Sequence, residues 1–200
     1  MVYNWQRVDT LKPRSYICGY CGNPIASEKG YFAVNNSTGQ QIFIYVCHYC
    51  DKATFFDVEG KQTPGFAYGG AVNHIDDAGI ENLYEEARKC FSLSSFTAVV
   101  LCCRKILMHI AVAKGAPENQ NFVSYVEYLS DKNYIPPDAK GWVDYIREKG
   151  NEANHEIKIM AEEEAKDLIS FIQMLLKIIY EFPANSKKPV SKENNEAGSC

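Results

Sequence analysis

Two pairs of cysteines constrain this chain more than any other feature. Cys18 and Cys21 form one C-x2-C unit and Cys47 and Cys50 a second, with 25 residues between the pairs. One C-x2-C turn offers two sulfurs to a single ion. Two such turns complete a tetrahedron with zinc–sulfur distances of about 2.3 Å. Gly19 and Gly22 suit the first turn. The residues between the pairs are long enough for a hairpin that returns the chain to the metal. Tyr31–Val34 and Gln41–Val46 read as its strands, and Asn35, Asn36, Ser37, Thr38 and Gly39 as its turn. A closed four-sulfur site has no open position, so the expected ion is one structural Zn2+ per chain. A domain this small has little core and leans on its metal to fold.

The chain holds eight cysteines, and a disulfide scaffold is the rival reading. Met1–Thr10 are polar and carry no apolar signal-peptide core, which favours metal over disulfides. Cys90, Cys102 and Cys103 fall in helix-like sequence and read as small core residues, whereas Cys200 sits in a polar tail as an exposed thiol. His48 lies between two ligands, and a solvent-facing or supporting role is expected for it rather than ligation.

After residue 60 the character of the sequence changes. Residues 61–78 are rich in glycine, carry Pro64, and read as a linker. From Ile80 the apolar spacing becomes helical. Leu83, Ala87 and Cys90 share one side of a first helix. Val99, Cys103, Ile106, Ile110 and Ala113 mark a second, ended by Gly115 and Pro117. Phe122, Val126 and Leu129 suggest a third. A fourth, after Pro136 and Pro137, presents Trp142, Tyr145 and Ile146. Leu168, Ile172, Leu175, Leu176 and Ile179 make the last, opened by Glu162, Glu163 and Glu164 and stopped by Pro183. The predicted class is α+β: a small β-rich zinc ribbon over residues 1–60, a linker over 61–78, an all-α bundle over 79–183 and a disordered tail over 184–200.

Charge narrows the function. Residues 1–60 hold five Lys/Arg and five Asp/Glu; residues 79–183 hold twelve and sixteen, a net −4. Neither segment is a broadly basic nucleic-acid binder. Four thiolates around Zn2+ add about two negative charges to the first. The apolar stretch Leu168–Phe182 is too short to span a bilayer and contains Gln173, Lys177 and Glu181. The expectation is a cytoplasmic protein with no membrane partner and no dinucleotide cofactor.

Leu83–Ala113, with its opening E-E-A-R, is followed by the GN-x3-H element within Ile146–His155, then an acidic patch, the last helix and YEFP. This order resembles the bacterial family called domain of unknown function 4145, over residues 80 to 183. That family in turn resembles the HEPN superfamily of helical bundles, many of which dimerise. The resemblance implies an HEPN-like bundle, a homodimer, and a place in a bacterial defence or stress system. Active HEPN proteins are metal-independent ribonucleases that use an Arg, four to six residues, then a His. The His moves a proton while the Arg holds the developing phosphate charge. Here His155 fits the His slot and Asn151 the polar slot. No Arg stands at the allowed spacing. Lys149 supplies charge there without the bidentate fork of Arg, and Arg147 is separated from His155 by seven residues. His155 is equally readable as a residue that caps or bonds across a helix junction. Arg104 and His109 lie on the second helix, where Arg104 is expected to pair with a bundle carboxylate such as Glu85 or Glu86. Tyr84, Tyr125, Tyr128 and Tyr145 read as core or groove residues. The leading expectation is a binding or assembly module without catalysis that engages a protein or RNA partner; the alternative is an endoribonuclease built on His155.

Overall fold

The structure, a computed structural model, describes residues 5–136, 141, 142, 144 and 159–186. It is α+β. Five antiparallel strands come first, in the spatial order of the sequence: β1 (Asp9–Ile17), β2 (Pro24–Val34), β3 (Gln41–Val46), β4 (Ala53–Phe56) and β5 (Gln62–Thr63). The hairpin between the cysteine pairs is present. β2 and β3 pair from Gly30 opposite Tyr45 to Val34 opposite Gln41. The Asn35 carboxamide oxygen closes its turn by accepting from the Ser37 and Thr38 amides. Register slips between Thr10 and Arg14 in β1, an edge strand that can tolerate Pro13.

One face of the sheet carries its apolar core: Leu11, Tyr45 and Phe56, with Tyr16 and Phe43 packed against them. Arg14 lays its guanidinium over the Phe56 ring, 4.0 Å from the centroid. β5 lies inside the stretch read from sequence as a linker, so the sheet reaches a few residues further than residue 60. From there the chain does not hang free. It passes a cis Thr63–Pro64 bond, and the Gly65 amide donates to the Ser92 carbonyl at 2.7 Å. Val72 is buried among the helices, and Tyr68 packs on them.

The helices are α1 (Ala78–Ser92), α2 (Phe96–Ala113), α3 (Phe122–Asp131) and α4 (Glu162–Leu176). Each buries one stripe at helical spacing: Ile80, Tyr84, Ala87 and Phe91 in α1; Phe122, Tyr125, Val126 and Leu129 in α3; Ala165, Leu168, Ile169, Ile172 and Leu175 in α4. α2 sits at the centre and packs on the other three. Its length and apolarity would by themselves allow it to cross a membrane. Burial of Val99, Val100, Cys103, Ile106, Leu107, Ile110 and Ala111 inside the bundle accounts for that apolarity. Trp142 is helical and meets Phe171 edge-on, with ring centroids 5.3 Å apart. α4 does not stop at Pro183. It passes through a π turn (Lys177–Glu181) into a short α5 (Phe182–Ser186), the π turn standing directly before the turn that holds Pro183, which has no N–H to give.

Candidate metal centre

Strand order alone brings the two cysteine pairs together. The first pair turns the chain from β1 into β2 and the second from β3 into β4, and with β2 beside β3 both turns fall at one end of the sheet. The turns are built alike. In the first, the Gly22 amide donates to the Cys18 carbonyl at 2.8 Å and the Cys18 amide to the Asn23 carbonyl at 3.0 Å. In the second, the Asp51 amide donates to the Cys47 carbonyl at 2.9 Å and the Cys47 amide to the Lys52 carbonyl at 3.0 Å. Each needs a left-handed residue after its second cysteine. Gly22 supplies it at φ 72° and Asp51 at φ 55°.

The four sulfurs lie within 4.8 Å of one another. Cys18 Sγ is 3.7 Å from Cys50 Sγ, and Cys21 Sγ is 3.7 Å from Cys47 Sγ. A tetrahedron with Zn–S distances of about 2.3 Å has edges of about 3.8 Å, close to these two separations, so the donor set is compatible with Zn2+. Four thiols suit a soft or borderline ion and not Ca2+ or Mg2+. Cys18 and Cys47 are buried and Cys21 faces outward. Burial pushes the Cys18 thiol up and the Cys50 thiol to about 12. Burial also raises Cys21, but the Asn23 amide and the other three cysteines outweigh it and bring that thiol down to about 7. Ion binding releases the protons the buried thiols hold, and amide donors to sulfur steady the thiolates.

Around the site, Trp5 Nε1 donates to the Asp51 carbonyl at 2.8 Å and ties the N-terminal segment to the second turn. His48 is exposed and stacks on Tyr49, centroids 4.6 Å apart, and takes no place among the four sulfurs. Asp51 and Trp5 were missed from sequence; the repeated place after each C-x2-C is the signal that would have found Asp51. Against the first turn lies the start of the segment to the helices. Gln62 Nε2 donates to the Ile17 carbonyl at 2.8 Å and to the Pro64 carbonyl at 3.0 Å.

His155, Asn151, Arg147 and Lys149 lie outside the described residues. His109 is exposed, with Nε2 3.0 Å from the Asp77 carboxylate. Arg104 does not pair with Glu85 or Glu86. Glu85 is taken by Arg88 at 2.6 Å, and Arg104 is buried over Phe122. Arg104 and His109 do have four residues between them, but five steps of about 100° put them roughly 140° apart on the helix. One turns to α3 and the other to the start of α1, so they share no cleft. Tyr84 and Tyr125 are buried, as expected.

No curated protein and no solved structure matches this chain. A family model described as Domain of unknown function (DUF4145) matches residues 85–193, more than half of the chain, from the middle of α1 onward. The protein therefore belongs to the DUF4145 family, with the four-cysteine sheet placed ahead of the family's own region.

Proposed function

We propose that this protein is a binding or assembly module without catalysis, in which a zinc ribbon is joined to an HEPN-like helical bundle. It engages a protein or RNA partner and pairs as a homodimer through the helices. The observation that carries the reading is the set of four sulfurs within 4.8 Å of one another, two of whose separations are 3.7 Å. Such a site holds its ion with protein ligands alone and leaves no position for substrate, so the metal works by fixing the sheet. What the ion fixes is a surface. Tyr20 and Tyr49 stand exposed in the two turns, and Phe32, Val34 and Phe55 stay exposed on the strands. Phe32 and Val34 lie on one face of the sheet and Phe55 on the other, so apolar side chains on both faces of this small sheet are open to a partner.

The test is metal content, mass and cleavage on one purified sample. One zinc per chain, a dimeric mass by light scattering and no RNA cleavage are expected. A folded sample with a zinc ratio near zero ends the zinc reading. A monomer at high concentration ends the dimer. RNA cleavage that survives EDTA and disappears in His155→Ala would replace this function with a ribonuclease.

A further inference from the structure

We infer that Arg104 is the receptor of a small oxyanion, a phosphate or carboxylate, at the junction of α2 with the N-terminus of α3. Arg104 is 5 % exposed, and its Nη1 is buried with no hydrogen-bond acceptor. Among the described residues it makes no ion pair. Burial pulls its pKa below the ordinary guanidinium value. Its guanidinium lies 4.2 Å from the ring centroid of Phe122, the first residue of α3.

That helix start has donors of its own. Asn121 Oδ1 accepts from the Ser124 amide at 2.9 Å, while no acceptor among the described residues meets the amides of Phe122 and Val123. Open amides at a helix N-terminus favour an anion, and a planar guanidinium fork can take two oxygens at once. A charge held in an apolar setting without a counter-charge is costly. Among the described residues no carboxylate meets the guanidinium, and methionine could fill the same space without that cost. Leu101, about one turn earlier on α2, is 50 % exposed. The geometry selects the chemistry of the ligand, not its source. A free anion is the occupant proposed, and an acidic side chain of a second copy is the rival that the test separates.

The experiment uses the full zinc-loaded chain. Thermal unfolding is followed while inorganic phosphate replaces chloride at constant ionic strength and pH, in wild type, Arg104→Met and Arg104→Lys. The Arg104 side-chain Nε–H resonance is followed in parallel. The wild-type midpoint should rise saturably and the resonance should shift with the same midpoint concentration. Arg104→Met should lose the saturable rise and, without phosphate, melt above wild type. Arg104→Lys should respond several-fold more weakly. Equal phosphate responses in wild type and Arg104→Met would overturn the inference, since that is the general effect of an excluded salt. An Arg104→Met protein that melts below wild type, with an Arg104 resonance unmoved by phosphate, would reduce the residue to a structural stack and overturn it too. A wild-type midpoint that climbs with protein concentration and ignores phosphate would give the guanidinium to a second copy and likewise overturn the free-anion site.

Discussion

Gly19 and Gly22 stand three residues apart in the first cysteine turn, and each is glycine for a different physical reason. Gly22 needs its φ of 72°, and nothing lies near the place a Cβ would take. Gly19 has no such backbone demand. A Cβ there would overlap the Gly65 carbonyl oxygen and come within 2.5 Å of the Pro64 carbonyl oxygen, both rigid backbone. The substitutions should therefore separate. Gly22→Ala should cost about 1–2 kcal/mol from left-handed strain. Gly22→Asn should cost less, because Asp51 already holds the matching place in the second turn at φ 55°. Gly19→Ala should cost about 1–3 kcal/mol through overpacking, and asparagine there should do no better. Denaturant midpoints of the zinc-loaded proteins check this, and equal tolerance of asparagine at both sites would refute it. Both glycines were readable as turn residues from their place beside cysteines. That reading was right for Gly22 and incomplete for Gly19. The atoms that exclude a side chain at Gly19 belong to Pro64 and Gly65, far along the chain, and no local pattern carries that information.

Among the elements, the helices were the more legible. Val99, Cys103, Ile106 and Ile110, and Leu168, Ile172, Leu175 and Leu176, all proved buried as their spacing implied. A packed helix must put its apolar residues on one stripe, so the stripe shows in the sequence. Ends are less legible, since they depend on single hydrogen bonds. α1 starts at Ala78 because Asp77 caps it, accepting from the Gly79 amide at 2.8 Å and the Ile80 amide at 3.1 Å. The same carboxylate meets His109 of α2, so one residue both starts α1 and pins it to its neighbour. The Ile80 amide first, then His109, hold the Asp77 carboxyl below its ordinary value of 3.8. A depressed carboxylate stabilises the fold fully above the unfolded value. That stabilisation is lost as pH falls through the lower folded value. Asp77→Ala should thus melt below wild type at neutral pH, and the gap should close as pH drops below 3.8. Asp77→Asn, which keeps an acceptor for the amides, should recover part of the loss at neutral pH and show little of the acid dependence. A gap between Asp77→Ala and wild type that stays constant from neutral pH to well below 3.8 would refute the charged cap.

At the scale of the whole molecule the two halves are unequal in what holds them. The helices share one continuous apolar core. The sheet has Leu11, Tyr45 and Phe56 with two flanking rings, and a second cluster made of Cys18, Ile25 and Cys47, two of whose three members are candidate metal ligands. Removing zinc should therefore unfold the sheet and spare the helices, because buried apolar area scales the stability of each and the sheet's share is small. A linker reading would end there, with the halves independent. The structure adds a bridge. Gln62 binds the carbonyl of Ile17 beside the first cysteine, Gly19 packs on Pro64 and Gly65, and the Gly65 amide is bonded to Ser92 at the end of α1. Beyond it, Tyr84 donates to the Gly70 carbonyl at 2.9 Å and Arg88 to the Gly69 carbonyl at 3.1 Å, bonds that owe nothing to the sheet. The effect of metal loss should thus travel as far as the Gly65–Ser92 bond and fade before Gly70. Amide exchange in Cys18→Ser, or after zinc removal by a chelator, measures this directly. The Gly65 amide should lose its protection together with those of β2 and β3, the amides of α2 should keep theirs, and the far-ultraviolet helical signal should persist. Loss of α2 protection in step with the sheet would make the protein one cooperative unit held by its metal. Full retention at Gly65 would show that the contact at Gly19 transmits nothing.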